Sequence, residues 1–107
     1  MTATTYTVTV NGIGPVEVTV DEHGKGLPFL LLHGGGGPDT TGRFGERLAS
    51  SGHLRVLNPI HPGFGGTPRP EALHTVGGLA AVYAALLDQL GLDGVTVAGN
   101  SIGGWIA

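Results

Sequence analysis

A chain of 107 residues, 40% of them apolar, has room for one small domain with a modest core. Five Lys and Arg against eight Asp and Glu, with no block of either sign, argue against a nucleic-acid or anionic-membrane surface. The absence of cysteine excludes disulfides, a thiol nucleophile and thiolate metal sites. Residues 1–20 have neither the basic start nor the apolar stretch of a secretory signal. No apolar run approaches the ~20 residues of a membrane span, so a soluble, cytoplasmic protein is expected. The 21 glycines cluster in a few loops between solidly apolar runs, which favours an α/β chain with demanding turns over disorder.

Residues 4–10 alternate threonine with Tyr6, Val8 and Val10, the period of a half-exposed strand. Asn11-Gly12 starts a turn, and Val16, Val18 and Val20 alternate with polar residues as a second strand, so the two form an antiparallel hairpin. Asp21 to Gly26 is expected to be a polar turn. Phe29-Leu30-Leu31-Leu32 is apolar without interruption, as in a strand covered on both faces. It runs into His33-Gly34-Gly35-Gly36-Gly37-Pro38. Thr40 or Thr41 is a candidate cap for a short helix with Phe44 and Leu48 one turn apart, ended by Ser51-Gly52. Residues 54–57 form a fourth strand, stopped by Asn58-Pro59, and 61–70 are too rich in Gly and Pro for regular structure. From Leu73 to Leu90, apolar residues recur every three or four positions in an amphipathic helix capped by Gly91.

Val95 to Ala98 is a last short strand, and it ends in Gly99-Asn100-Ser101-Ile102-Gly103, a G-x-S-x-G followed by Gly104-Trp105-Ile106-Ala107. Strand, sharp turn and helix is the context in which this motif carries chemistry. Glycines two before and two after the serine avoid side-chain collisions in so tight a turn. Ile102 then falls at a helix N-terminus with a free backbone N–H, where the helix dipole favours negative charge. That is half of an oxyanion hole. Trp105 reads most simply as a core residue of this last helix.

The His33-Gly34-Gly35-Gly36 turn, the His61-Pro62-Gly63-Phe64-Gly65-Gly66-Thr67 loop and the Gly99–Gly104 turn, each after a strand and in this order, resemble the α/β-hydrolase superfamily. The resemblance covers residues 1–107 as the N-terminal portion of a single such domain. It implies a mostly parallel sheet with an N-terminal antiparallel hairpin and strand order 1-2-4-3-5. It also implies that Ser101 is the nucleophile that attacks an ester-like or activated carbonyl. The backbone N–H groups of Ile102 and Gly35 (less readily Gly36) would then hold the oxyanion, each worth about 3–4 kcal/mol in related chemistry. Gly99, Asn100 and Gly103 shape the elbow, and His33, Gly34, Gly36 and Phe64 are candidate pocket residues. In such sequences His33 orders a loop and is not the base. Within the superfamily, Gly-Asn-Ser-Ile-Gly-Gly and Pro-Gly-Phe-Gly are similar to carbon–carbon bond hydrolases of ring-cleavage products, and occur also in esterases and cofactor-free perhydrolases. A serine at the nucleophile position argues against haloalkane dehalogenases, which use aspartate there.

A hydrolase triad runs Ser, then Asp or Glu, then His, and six residues follow Ser101, so neither partner is in this chain. A serine without a base loses about 10⁴–10⁶-fold in turnover. The expectation is therefore an N-terminal piece of a longer hydrolase, inactive and poorly soluble alone, with an open apolar edge at its fifth strand. Its partners would be a small-molecule substrate and the missing C-terminal half of the domain. The alternative from another class is a non-catalytic fragment that packs against a complementary chain. A nucleotide cradle at Gly34–Gly37 is disfavoured, because no Gly-Lys-Ser/Thr follows and G-x-G-x-x-G order is absent. The histidines at 23, 33, 53, 61 and 74 show no i, i+4 pair, so loop or surface positions are expected and no metal or other cofactor is indicated.

Overall fold

A computed structural model of the chain describes residues 2–107. Strands β1 (Thr2–Val10), β2 (Gly14–His23), β3 (Leu27–Leu32), β4 (Leu54–Ile60) and β5 (Thr96–Gly99) alternate, from β3 onward, with helices α1 (Asp39–Ala49), α2 (Val76–Leu90) and α3 (Ile102–Ile106). The strands form one sheet in the order β1-β2-β4-β3-β5. β1 with β2 and β2 with β4 are antiparallel, and β3 is parallel to both β4 and β5. The order and the hairpin agree with the sequence expectation.

The alternation in the hairpin places Val8, Val10, Val16, Val18 and Val20 on one buried face. That face joins Leu30, Leu32 and Leu57 from the inner strands under Leu73, Val82, Tyr83, Leu86 and Ile106. Leu31 and Val56 point the other way, toward α1, where Gly45 allows the helix close to the sheet: a Cβ there would lie 3.4 Å from Leu31 Cδ2 and 3.5 Å from Val56 Cγ1. β3 is thus covered on both faces, which is why its sequence is apolar throughout.

Several elements depart from the sequence reading for identifiable reasons. β2 continues through Asp21 and Glu22 to His23, because these residues pair with Asn58, Leu57 and Val56. Glu22 accepts from Tyr6 Oη at 3.1 Å and from Arg55 Nε at 2.8 Å, so its charge is matched at the strand. β4 continues through Asn58-Pro59 to Ile60. Its pairing with β3 reaches only as far as Leu57, so β4 has a free side beyond that point and Pro59 needs no donor there. α1 starts after Pro38 with no side-chain cap; Thr40 and Thr41 lie inside it, and their hydroxyls donate back to Gly37 O and Pro38 O. The inner face of α1 is Thr41 and Gly45, while Phe44 is 53% exposed. Trp105 is 75% exposed, and the residues α3 buries are Gly103 and Ile106.

α2 begins at Val76, three residues later than the apolar spacing suggests, because Thr75 caps it: Thr75 Oγ1 accepts from Gly78 N at 2.9 Å. Leu73 is still buried, as part of the loop before the helix. Gly91, at φ 67°, closes the other end, with Leu92 N donating to Leu87 O. Because α2 has no acidic residue in its first turn, Thr75 is its main terminal support. Thr75→Ala is expected to lower stability by about 1 kcal/mol, read as a shift in the urea midpoint with unchanged slope.

Candidate active site

The C-terminal ends of β3, β4 and β5 meet at one edge of the sheet, and each delivers one of the glycine-bearing motifs there. Ser101 follows β5 at φ 58° and ψ −119°, the one non-glycine residue with positive φ among the described residues. Such a conformation costs about 1–3 kcal/mol and persists only where the surroundings over-determine it. Here they do. A Cβ on Gly99 would run into the backbone of Gly103, and a Cβ on Gly103 would run into Leu32 O and lie 2.7 Å from His33 O. Asn100 N donates to Leu32 O at 3.0 Å, and Gly103 N closes the turn on Asn100 O at 2.9 Å. The backbones of β3, β5 and α3 are therefore in contact without intervening side chains.

Ser101 and Ile102 are exposed at this edge. Gly104 N and Trp105 N donate to Ser101 O, whereas the N–H of Ile102, first in its helix, has no backbone partner among the described residues. The turn after β3 lies against the elbow: a Cβ on Gly34 would be 2.9 Å from Asn100 O and 3.2 Å from Ser101 Cβ. Gly34 is buried and held by Thr40 Oγ1, while Gly35 and Gly36 are exposed. A Cβ on Gly36 would press on Thr40 Cγ2 at 2.8 Å, whereas Gly35 faces open space. A cleft of about 300 Å³ opens beside Ile102, lined by Phe64, Arg69, Leu73, His74 and Val76 among others. Of the candidate pocket residues, Phe64 lines this cleft. Gly34 and Gly36 belong to the turn.

His33 and His61 are not surface residues; they are 0% and 1% exposed, and their rings pack at a 37° tilt with centroids 3.8 Å apart. His33 therefore has no surface to offer a substrate and orders the turn from beneath. His33 Nδ1 is 2.7 Å from Gly34 O, and its Nε2 accepts from His61 N at 2.9 Å. His61 Nε2 is 2.7 Å from His33 O, and its Nδ1 meets the Tyr83 hydroxyl. Phe64 packs edge-on against both rings. Burial lowers the pKa of His33, and it lowers that of His61 to about 4, with the neighbouring His33 adding to the effect. Burial raises that of Tyr83. Sequence spacing gave no sign of this group, since the residues are 22 and 28 positions apart. Arg69 and His74 were likewise not distinguishable from loop residues, although Arg69 is the lone cation in the Gly- and Pro-rich segment. No group of three or more His, Asp or Glu that could hold a metal occurs among the described residues. No helix there is long and apolar enough to cross a membrane.

The chain belongs to the alpha/beta hydrolase fold family, whose model matches residues 28–107. It is 40% identical over 95 residues to a 2-hydroxy-6-oxo-2,4-heptadienoate hydrolase of Pseudomonas putida, a match covering 85% of this chain and 34% of that protein. A 2-hydroxymuconate semialdehyde hydrolase of Pseudomonas putida is 35% identical, over 85% of this chain and 33% of its own length. Among solved structures, an esterase of Thermogutta terrifontis superposes with a TM-score of 0.82 at 31% identity, covering 97% of this chain and 39% of that one. An epoxide hydrolase of Vigna radiata superposes at 0.75 with 29% identity, over 97% and 34% of the two chains. The chain thus spans about a third of the length of the curated relatives it matches.

Two outcomes follow from this geometry. Because Gly103 abuts backbone on the β3 side, Gly103→Ala should cost about 3 kcal/mol or more, seen as a large drop in melting temperature. His61 is held neutral, with a folded pKa below its unfolded value near 6.5, so the unfolded state binds more protons in between. Its contribution is complete above pH ~6.5 and is lost as the pH falls through that value toward about 4. His61→Gln should flatten the slope of unfolding free energy against pH in that window.

Proposed function

We propose that Ser101 is the nucleophile of a serine-dependent hydrolase acting on an ester or similarly activated carbonyl. The observation that carries this reading is the positive φ of Ser101 on an exposed strand-to-helix turn, beside the unpaired N–H of Ile102. Ser101 Oγ adds to the carbonyl carbon and gives its proton to a histidine base. The resulting oxyanion is held by the N–H groups of Ile102 and Gly35, in a preformed arrangement that needs no reorganisation. Collapse expels the leaving group, protonated by the same histidine, and water then hydrolyses the acyl-serine. The histidine and its carboxylate partner come from a complementary segment of the domain. Support for such a segment lies in β5, which pairs on one side with β3 and leaves its other side open next to exposed Val97, Phe44 and Trp105.

A second reading, carbon–carbon bond hydrolysis of a keto-dienoate, is favoured by the names of the relatives. The dienol first tautomerises, moving its hydroxyl proton to the carbon next to the distal keto group. The same serine then adds to that keto carbon, the carbon–carbon bond breaks with its electron pair leaving as a dienolate that is reprotonated, and water hydrolyses the acyl-serine. The cleft supports an acid of this kind. Its walls are mostly apolar, and Arg69 is the cation among them; one Nη donates to Leu73 O at 3.0 Å, and no Asp or Glu is among the described residues that line the cleft.

The test uses the chain recombined with a complementary segment from a full-length relative. Ser101→Ala should reduce kcat by about 10⁴–10⁶-fold for p-nitrophenyl acetate and for the dienoate chromophore alike. Retained turnover would remove the nucleophile assignment. In the uncombined 107-residue chain, ester turnover should be at background and insensitive to Ser101→Ala. Arg69→Gln should raise KM about tenfold or more for a carboxylate-bearing substrate and leave the neutral ester unchanged.

A further inference from the structure

We propose that Tyr83, His61 and His33 form a hydrogen-bonded relay whose role is to fix the Gly34–Gly35 peptide with the Gly35 N–H facing the reacting carbonyl. The inference rests on the reading of Gly35 as an oxyanion donor and adds how that donor is aimed.

The protonation pattern follows from the partners alone. His33 Nε2 faces the N–H of His61, a group that donates, so Nε2 is the bare nitrogen. In neutral His33 the proton is then on Nδ1, which donates to Gly34 O at 2.7 Å. His61 Nε2 faces His33 O, a group that accepts, so Nε2 carries the proton. Its Nδ1 is left bare, and the Tyr83 hydroxyl donates to it. The bonds form two strings that cross at His33 and His61: Tyr83 hydroxyl to His61 ring to His33 O, and His61 N–H to His33 ring to Gly34 O. Each donor meets an acceptor, and no buried side-chain N or O among the described residues is left without a partner.

The string through the His33 ring ends on a carbonyl belonging to the peptide that carries the Gly35 N–H, and the string from Tyr83 holds the His33 backbone next to it. That peptide is trans, so its C=O and N–H point in opposite directions. Drawing the carbonyl inward to the buried His33 ring turns the N–H outward, on the exposed side of the turn that lies against Ser101. Glycine on both sides of the peptide leaves its plane free to rotate, since neither residue has a Cβ to restrict it. Two donors hold its carbonyl: the Gly37 N–H at 3.1 Å, which closes the turn on itself, and the His33 Nδ1–H at 2.7 Å, which ties the turn to the core beneath. The relay joins the ends of β3 and β4 to the middle of α2, so it ties the turn to the core rather than to a mobile loop. Tyr83 and the two histidines are positioning residues.

The experiment has two parts, both on the chain recombined with its complementary segment. The first is a long-range proton–nitrogen correlation spectrum of the imidazoles near neutral pH. His33 is expected as the Nδ1–H tautomer and His61 as the Nε2–H tautomer; His33 found as the Nε2–H tautomer overturns the relay. The second compares variants by kinetics. Tyr83→Phe should lower kcat about tenfold with KM little changed, and weaken a trifluoromethyl ketone, which forms an oxyanion on Ser101, by a similar factor. His33→Asn, which keeps an N–H donor close to the Nδ1 position, should retain at least about tenfold more turnover than His33→Ala. Substrate affinity measured in Ser101→Ala should not respond to Tyr83→Phe. A Tyr83→Phe protein that loses melting temperature but binds the ketone unchanged shows a purely structural cluster and defeats the proposal. Failure of the nucleophile reading would look different: turnover would survive Ser101→Ala, whatever the tautomers.

Discussion

The constraint on which the rest of the site depends is the direct backbone contact between the end of β3 and the start of α3. Leu32 O accepts the Asn100 N–H, and Leu32 O and His33 O both lie where a Cβ of Gly103 would be. The same His33 O receives the His61 ring. One pair of carbonyls at the end of one strand thus places the elbow, the loop after β4 and, through His61, helix α2. A side chain at Gly103 or Gly34 would force the end of β3 and its turn away from the elbow, and one at Gly99 would force β5 away from α3. A misplacement of about 1 Å is enough to cost a reacting centre two orders of magnitude.

Stability and strain are balanced differently in the two halves of the molecule. The valine face of the hairpin and its packing under α2 is a conventional apolar core, with Val18, Val20, Val82 and Leu86 at 0% exposure. α3, five residues long, cannot persist by helix propensity, since isolated helices below about 12 residues are marginal in water. Its support is Ile106, buried in that core, together with the turn hydrogen bonds around Ser101. The unfavourable φ of Ser101 is therefore sustained by the backbone contacts made on either side of it.

What was legible in the sequence follows from range. The elbow glycines, the Thr-Val alternation and the Gly91 stop are local patterns, and each formed where its spacing placed it. The strand order was legible through the resemblance, because three motifs after three consecutive strands fix one topology. Other features depend on what lies across the sheet. Pro59 ends a strand where both flanking ladders continue, but not here, where the pairing of β4 with β3 stops at Leu57, and the end of that pairing is not written in the sequence of β4. Trp105 was expected inside because tryptophan usually is. Among the described residues no element covers the face it occupies, and it stands 75% exposed. The histidines were the hardest to place. A buried imidazole has no periodicity, and its partners are set by where three separate elements converge.

That convergence also explains why imidazoles suit this place. A cation under the turn would strengthen one bond, to Gly34 O, but a protonated His33 would present an N–H at Nε2 to the N–H of His61, and two donors repel. A carboxylate would accept from His61 and then face Gly34 O with no proton to give. Only a neutral group with one donor and one acceptor, held a ring's width apart, satisfies both neighbours. Burial supplies the neutrality, because desolvation disfavours the charged form of each ring. The interior that stabilises the fold therefore also sets the protonation state of the two rings beneath the turn, and the two cannot be tuned independently.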